Sequence, residues 1–257
     1  MFFIATHLRR GTFLLTNTRK SAIINLYFSE QGGVLLKLEK IDRAEAFRYM
    51  GHKGGVLPES MTTLADECEQ CLLTSITPKL VYAVFDIEHT EKGIAVCGTP
   101  LILKGNDISA HLRDCEKCVL FAATLGTGAD AVIRSYESAA MEKAVIADCM
   151  ASAAIEQVCD RAEAEIREKL PEMHFTWRFS PGYGDFPINV QRDFLNVLSA
   201  QKRIGLTVTD DMILIPRKSV TAVIGVSERE IPKGRRGCAV CGMKDKCELR
   251  KQGTHCK

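Results

Sequence analysis

Between residues 178 and 187 the chain reads Arg-Phe-Ser-Pro-Gly-Tyr-Gly-Asp-Phe-Pro, the stretch densest in groups that could hold a ligand. Arg178 carries a planar fork of donors suited to a carboxylate. Pro181, Gly182, Gly184 and Pro187 fix a tight loop, and glycine lets backbone come close to a ligand. Tyr183 adds a ring face and a hydroxyl donor. The bland alternative is a strand-to-helix turn in which Arg178 pairs with a core acid and Tyr183 packs, since Pro-Gly pairs are common in turns. Residue types alone leave both open.

The second chemical signal is sulfur. Cys238, Cys241, Cys247 and Cys256 follow a Gly-Arg-Arg-Gly run near the C-terminus. Four thiols opened by Cys-x-x-Cys could surround a tetrahedral Zn²⁺ or an iron–sulfur cluster, with His255 able to replace Cys256. The alternative is a basic tail with incidental reduced thiols. Cys115 and Cys118 sit at a helix-to-strand junction, and Cys68 and Cys71 within a helix. These pairs, like Cys149 and Cys159, read first as small buried hydrophobes. His7, His52, His89, His111 and His174 form no ligand spacing with one another, and Trp177 reads as core.

Eleven cysteines, an odd number, fit a reducing compartment better than a secreted disulfide scaffold, so a cytoplasmic location is expected. No run approaches the roughly 18 apolar residues of a membrane span. The net charge of +2 is uneven. Residues 229–257 hold nine Lys/Arg against three acids, and residues 1–33 are also basic, which leaves 34–228 acidic. An acidic body argues against gripping a nucleic-acid backbone. Gly126-Thr127-Gly128 lacks the further residues of a dinucleotide or phosphate loop and reads as a turn.

Three regions follow. Residues 1–33 fit a targeting peptide or an over-extended start and fall outside the fold. Residues 34–228 form the body, and 229–257 the basic cysteine-rich tail. In the body, Asp42 can cap a helix running to Tyr49 and closed by Gly51. Pro58 and Ser60 open a second helix. Apolar runs at 80–87, 93–97 and 101–103 predict strands, and a short helix near Asp107 leads to a buried strand at 119–125. Helices are predicted at 127–138 and 141–168, the second from Met141, Val145, Cys149, Ile155, Val158, Ala162 and Ile166 at helical spacing. A strand at 174–178, a helix at 188–203 and short strands near 206–208, 212–215 and 219–226 complete the pattern. Helices and strands are grouped rather than alternating, which predicts an α+β fold with a largely antiparallel twisted sheet.

Arg178-x-x-Pro181-Gly182-Tyr183, with Pro187 four residues on, resembles the S-adenosylmethionine segment of the activation (reactivation) domain of cobalamin-dependent methionine synthase, here standing alone. Leu206-Thr207-Val208, Met212 to Pro216 and Ser219-Val220 stand where that family has its later strands. Ala147-Asp148 and the helix through Glu156 resemble its central helix, and Tyr49 to Gly54 and Phe121 to Gly126 resemble its stand-alone relatives. The resemblance implies binding of S-adenosylmethionine and reductive methylation of Co(II) cobalamin on a methionine synthase acting in trans. A flavodoxin-like protein would supply electrons. Arg178 would hold the ligand carboxylate, Pro181 and Gly182 would present backbone, and Tyr183, the expected catalytic residue, would lie beside the transferring methyl. Ser152 stands at the family's helix glutamate, with Glu156 one turn on as its replacement. No Asp-x-His-x-x-Gly run is present, so cobalamin would come on its partner modules. Two rivals remain: a non-catalytic docking module, which would bind a corrinoid protein without S-adenosylmethionine, and an iron–sulfur reductant using the tail, which would be coloured.

Overall fold

The computed structural model describes residues 34–52 and 58–232. The order is β1 (Val34–Leu35), α1 (Arg43–Tyr49), α2 (Glu59–Ser75), β2 (Lys79–Thr90), β3 (Gly93–Val96), β4 (Ile102–Leu103), α3 (Asn106–His111), β5 (Lys117–Thr124), α4 (Thr127–Ala139) and α5 (Met141–Lys169). It continues with β6 (His174–Phe175), a 3-10 turn (Ile188–Val190), α6 (Gln191–Val197), α7 (Ala200–Ile204), β7 (Thr207–Val208), β8 (Leu214–Ile215) and β9 (Ser219–Ser227). The main sheet runs β4-β3-β2-β5-β9-β6, with β1 also on β2, and every pairing is antiparallel. A separate hairpin joins β7 and β8. The expected α+β fold with grouped helices is found.

The sheet is covered on both faces, and β5 shows why its sequence is apolar throughout. Val119, Phe121 and Ala123 point to one core and Cys118, Leu120 and Ala122 to the other, as a two-residue period requires. Helices α1, α2, α4 and α5 cover the first face. Buried alanines at 144, 147, 151, 154 and 162 let α5 lie close to its neighbours. Asp42 caps α1 as predicted, its carboxylate accepting from Glu45 N–H at 3.0 Å. Helices α3, α6 and α7 cover the second face. Among the described residues no helix is long and apolar enough to cross a membrane.

Two elements differ from the sequence reading, and both shape the site. The strand expected to run to residue 178 ends at Phe175. Thr176 keeps its backbone N–H on Gly225 O (2.9 Å), but Gly225 N–H is met by the Thr176 hydroxyl (2.7 Å) instead of a backbone carbonyl. The ladder then lapses until a single bridge at Phe179 and Val223. The helix expected over 188–203 breaks at Ser199, which is left-handed (φ 50°). Leu198 and Ala200 on either side are fully buried, so the break turns α7 down onto the sheet. Strand β9 therefore pairs with β5 along its length, while β6 covers only its far end.

Candidate functional site

Arg178 reaches from this lapsed strand across the sheet edge to α5. Its guanidinium donates to Glu163 Oε2 (3.0 Å), Glu156 Oε2 (3.1 Å) and Asp160 Oδ1 (2.8 Å). The three acids lie four and three residues apart, so they share one helix face. Burial opposes the charge on Arg178, but Asp160 and Glu163 outweigh it and raise its pKa further. Arg167 also bonds Glu163 (2.7 Å), so two guanidiniums face three carboxylates and one negative charge is left over. Arg178 thus pairs with acids of α5, as the bland alternative had it, and Glu156 is one of them.

The rest of the loop is built on the opposite face. Phe186 is buried, its ring lies 6.1 Å from that of Phe179, and its carbonyl accepts from Gly182 N–H (2.8 Å). Pro181 is buried beneath the turn, Gly182 is exposed, and Tyr183 is 65% exposed, so its ring is open to a ligand or partner. Asp185 accepts from the N–H groups of Asn106 (2.7 Å) and Asp107 (2.9 Å), and Asp107 accepts from Asp185 N–H (3.1 Å). The clasp requires glycine on both sides. A Cβ on Gly184 would sit 1.9 Å from Asp107 Oδ2, and one on Gly105 2.7 Å from Asp185 Oδ1. Behind the loop, His111 is buried at 2.8 Å from the Thr176 hydroxyl, with Trp177 edge-on to its ring at 4.7 Å.

The clasp carries a pH prediction. Bonds from the backbone N–H groups of Asp107 and Asn106 hold the Asp185 carboxyl below its ordinary value. A depressed folded pKa stabilises above the unfolded pKa and is lost as pH falls through the folded value. Asp185→Asn should therefore melt below the wild type at pH 7. The gap should narrow when both are scanned well below the ordinary carboxylate value of about 4, as Asp185 takes up its proton. An equal gap at both pH values would remove the carboxylate from the explanation.

On the other side of Glu156 lies a groove of about 480 Å³ along the open edge of β9. Helix α5 walls it with Asp148, Ser152, Ile155 and Glu156, β9 floors it with Ser219 and Val220, and Tyr49 closes it from α1. Burial first, then the charges of Glu45 and Glu156, push the Tyr49 hydroxyl up to about 12. At the far end Lys218 binds Asp148 Oδ1 (2.9 Å) and Ser152 Oγ (2.9 Å), and Arg217 lies beside it. The sequence reading gave no site role to Tyr49, Asp160, Glu163, Arg217 or Lys218. Tyr49 enters it only as a helix end and within a resembling segment, and the spacing of Asp160 and Glu163 from Glu156 could have signalled those two.

Among the described residues no three His, Cys, Asp or Glu side chains gather to hold a metal. Cys115 and Cys118 are buried, and desolvation pushes Cys115 up to about 12 and Cys118 further still. Cys68 is also buried and raised, to about 11. All behave as core residues. The proposed tail ligands Cys238, Cys241, Cys247 and Cys256, the leader, and Lys53 and Gly54 lie outside the described residues.

No curated protein matches the chain. Among solved structures, the crystal structure of the MetH reactivation domain bound to AdoHcy aligns with a TM-score of 0.59 at 14% identity, covering 86% of this chain and 85% of that one. At that identity the likeness is one of fold. The family model described as vitamin B12 dependent methionine synthase, activation domain, matches residues 108–230, which include α5, the Arg178 loop and β9. Residues 108–230 are thus similar in sequence to the vitamin B12 dependent methionine synthase activation domain, and the chain shares the fold of the MetH reactivation domain.

Proposed function

We propose that this protein binds S-adenosylmethionine in the groove beside Glu156 and supports reductive methylation of a Co(II) cobalamin carried by methionine synthase modules in trans. The observation that carries the reading is the contact of Arg178 with Glu156, 22 residues apart, on the rim of a groove of about 480 Å³. That volume lies within the usual range for small-ligand sites. The solved relative is bound to AdoHcy, the product such a transfer would leave.

The electrostatics fit the substrate better than the product. The excess carboxylate charge around Glu156 favours a ligand bearing a sulfonium and an ammonium over one with a neutral thioether. Arg178 holds Glu156 in place, and by the family resemblance Pro181 and Gly182 would present the loop backbone and Tyr183 would lie beside the transferring methyl. One electron from a flavodoxin-like donor and the sulfonium methyl of S-adenosylmethionine together convert inactive Co(II) cobalamin to methylcobalamin, leaving S-adenosylhomocysteine. The chain's own part is positioning and charge.

Calorimetry with S-adenosylmethionine in reducing buffer tests the first half, with binding weaker for S-adenosylhomocysteine as the expected result. Adding the protein to a Co(II) methionine synthase that lacks its own activation domain, with reduced flavodoxin, tests the second. Recovery of the methylcobalamin absorbance is expected. No binding by the wild type at millimolar ligand would sink the reading.

A further inference from the structure

We propose that Cys238, Cys241, Cys247 and Cys256 together hold one metal centre through four thiolates, as a zinc ion or an iron–sulfur cluster. This goes beyond the proposed function and does not depend on it.

The chain uses its sulfur in two ways. Seven of the eleven cysteines belong to the body, and the other four follow Pro232. In the body, Cys68, Cys115, Cys118 and Cys159 are buried, and Cys71 packs against the first core. Burial also holds the thiols of Cys68, Cys97, Cys115, Cys118, Cys149 and Cys159 above their ordinary value. A thiol kept protonated is a poor metal ligand. The buried ones fill space as small hydrophobes.

That use is closed to the other four. Apart from its thiols, the stretch 233–257 offers only Ala239, Val240, Met243 and Leu249 as apolar side chains, too few to build a core. It carries eight Lys/Arg against Asp245 and Glu248. Cationic surroundings favour the thiolate, which is the form that binds metal. Four cysteines between 238 and 256, opened by Cys-x-x-Cys, supply the ligand number of a structural zinc or of a four-cysteine cluster. Metal binding then provides the ordering energy that this composition lacks.

The body fixes the base of this segment. Arg229 N–H donates to Ser227 Oγ (3.1 Å), its guanidinium donates to Glu116 Oε1 (2.6 Å), and Ile231 packs against the second core. Ser219 and Val220, which floor the ligand groove, stand at the opposite end of β9. At the usual rise of a strand that is about 26 Å away. The base of the metal-binding segment and the ligand groove therefore lie a strand's length apart.

The test is the metal content of the full chain, purified without oxygen and measured by plasma mass spectrometry, with acid-labile sulfide and the absorbance spectrum. About one zinc per chain without colour, or iron with an equal amount of sulfide and a brown colour, upholds the centre and identifies it. The double variant Cys238→Ser, Cys241→Ser should lose that metal yet melt its body at the wild-type temperature. Cys97→Ser and His255→Ala should keep the metal. Wild type that stays metal-free after reconstitution with zinc, and with iron and sulfide, overturns the proposal. So does metal retained by the double variant, and so does metal kept by Cys256→Ser but lost by His255→Ala, which would replace the fourth thiolate with an imidazole.

Discussion

Arg178→Ala is expected to lower unfolding free energy by about 2 kcal/mol at pH 7 and to weaken S-adenosylmethionine by about ten-fold or more. The stability loss follows from what remains. Glu156, Asp160 and Glu163 would face one another with, among the described residues, only Arg167 paired to them. Removing one partner of a buried pair costs about 3–5 kcal/mol, but Asp160 is mostly exposed, so solvent screens part of the repulsion. Urea unfolding at pH 7 measures the loss of stability, and calorimetry the loss of affinity. Arg178→Lys should recover only part, since one ammonium cannot span three carboxylates. An unchanged urea midpoint for the alanine variant would show that the cluster contributes nothing net.

Phe186→Ala should have the larger effect on folding, about 3–5 kcal/mol. Phe186 is only 1% exposed, stacks with Phe179 and anchors the loop through its backbone bonds to Gly182 and Tyr183. Truncation opens a cavity beneath a segment that the Asp185 clasp and the Phe179 bridge hold from outside. Ligand affinity should fall as well, because Gly182 and Tyr183 lose their fixed backbone. Phe186→Leu should restore most of the stability by refilling volume. Thermal unfolding and calorimetry on the same samples separate the effects. A destabilised variant that binds at full strength would remove the loop from the ligand site and leave only the groove.

The two departures from the sequence reading share a cause. The periodicity that predicted a strand at 174–178 set Trp177 and Arg178 on alternate faces. It could not register that the Thr176 hydroxyl would replace a backbone group in the ladder. Nor could it register that burying Leu198 and Ala200 together requires a left-handed residue between them. Both are long-range demands imposed on locally regular sequence.

The sequence by itself determined the elements and the chemistry of the loop. The three- and four-residue spacing of α5, the Asp42 cap and the continuous apolar run of β5 act over a few residues. Pro181, Gly182 and Gly184 dictated a tight turn, and Arg178 and Tyr183 named the groups it would carry. Only the tertiary structure decided which polar groups meet. It set Arg178 against three acids of α5, joined Asp185 to the start of α3, and placed Tyr49 and Arg217 on the rim of one groove. The physical reason is that helices settle on a sheet by burying their apolar faces. That burial fixes the rims where polar side chains come together, whereas no local pattern records which ones will face each other.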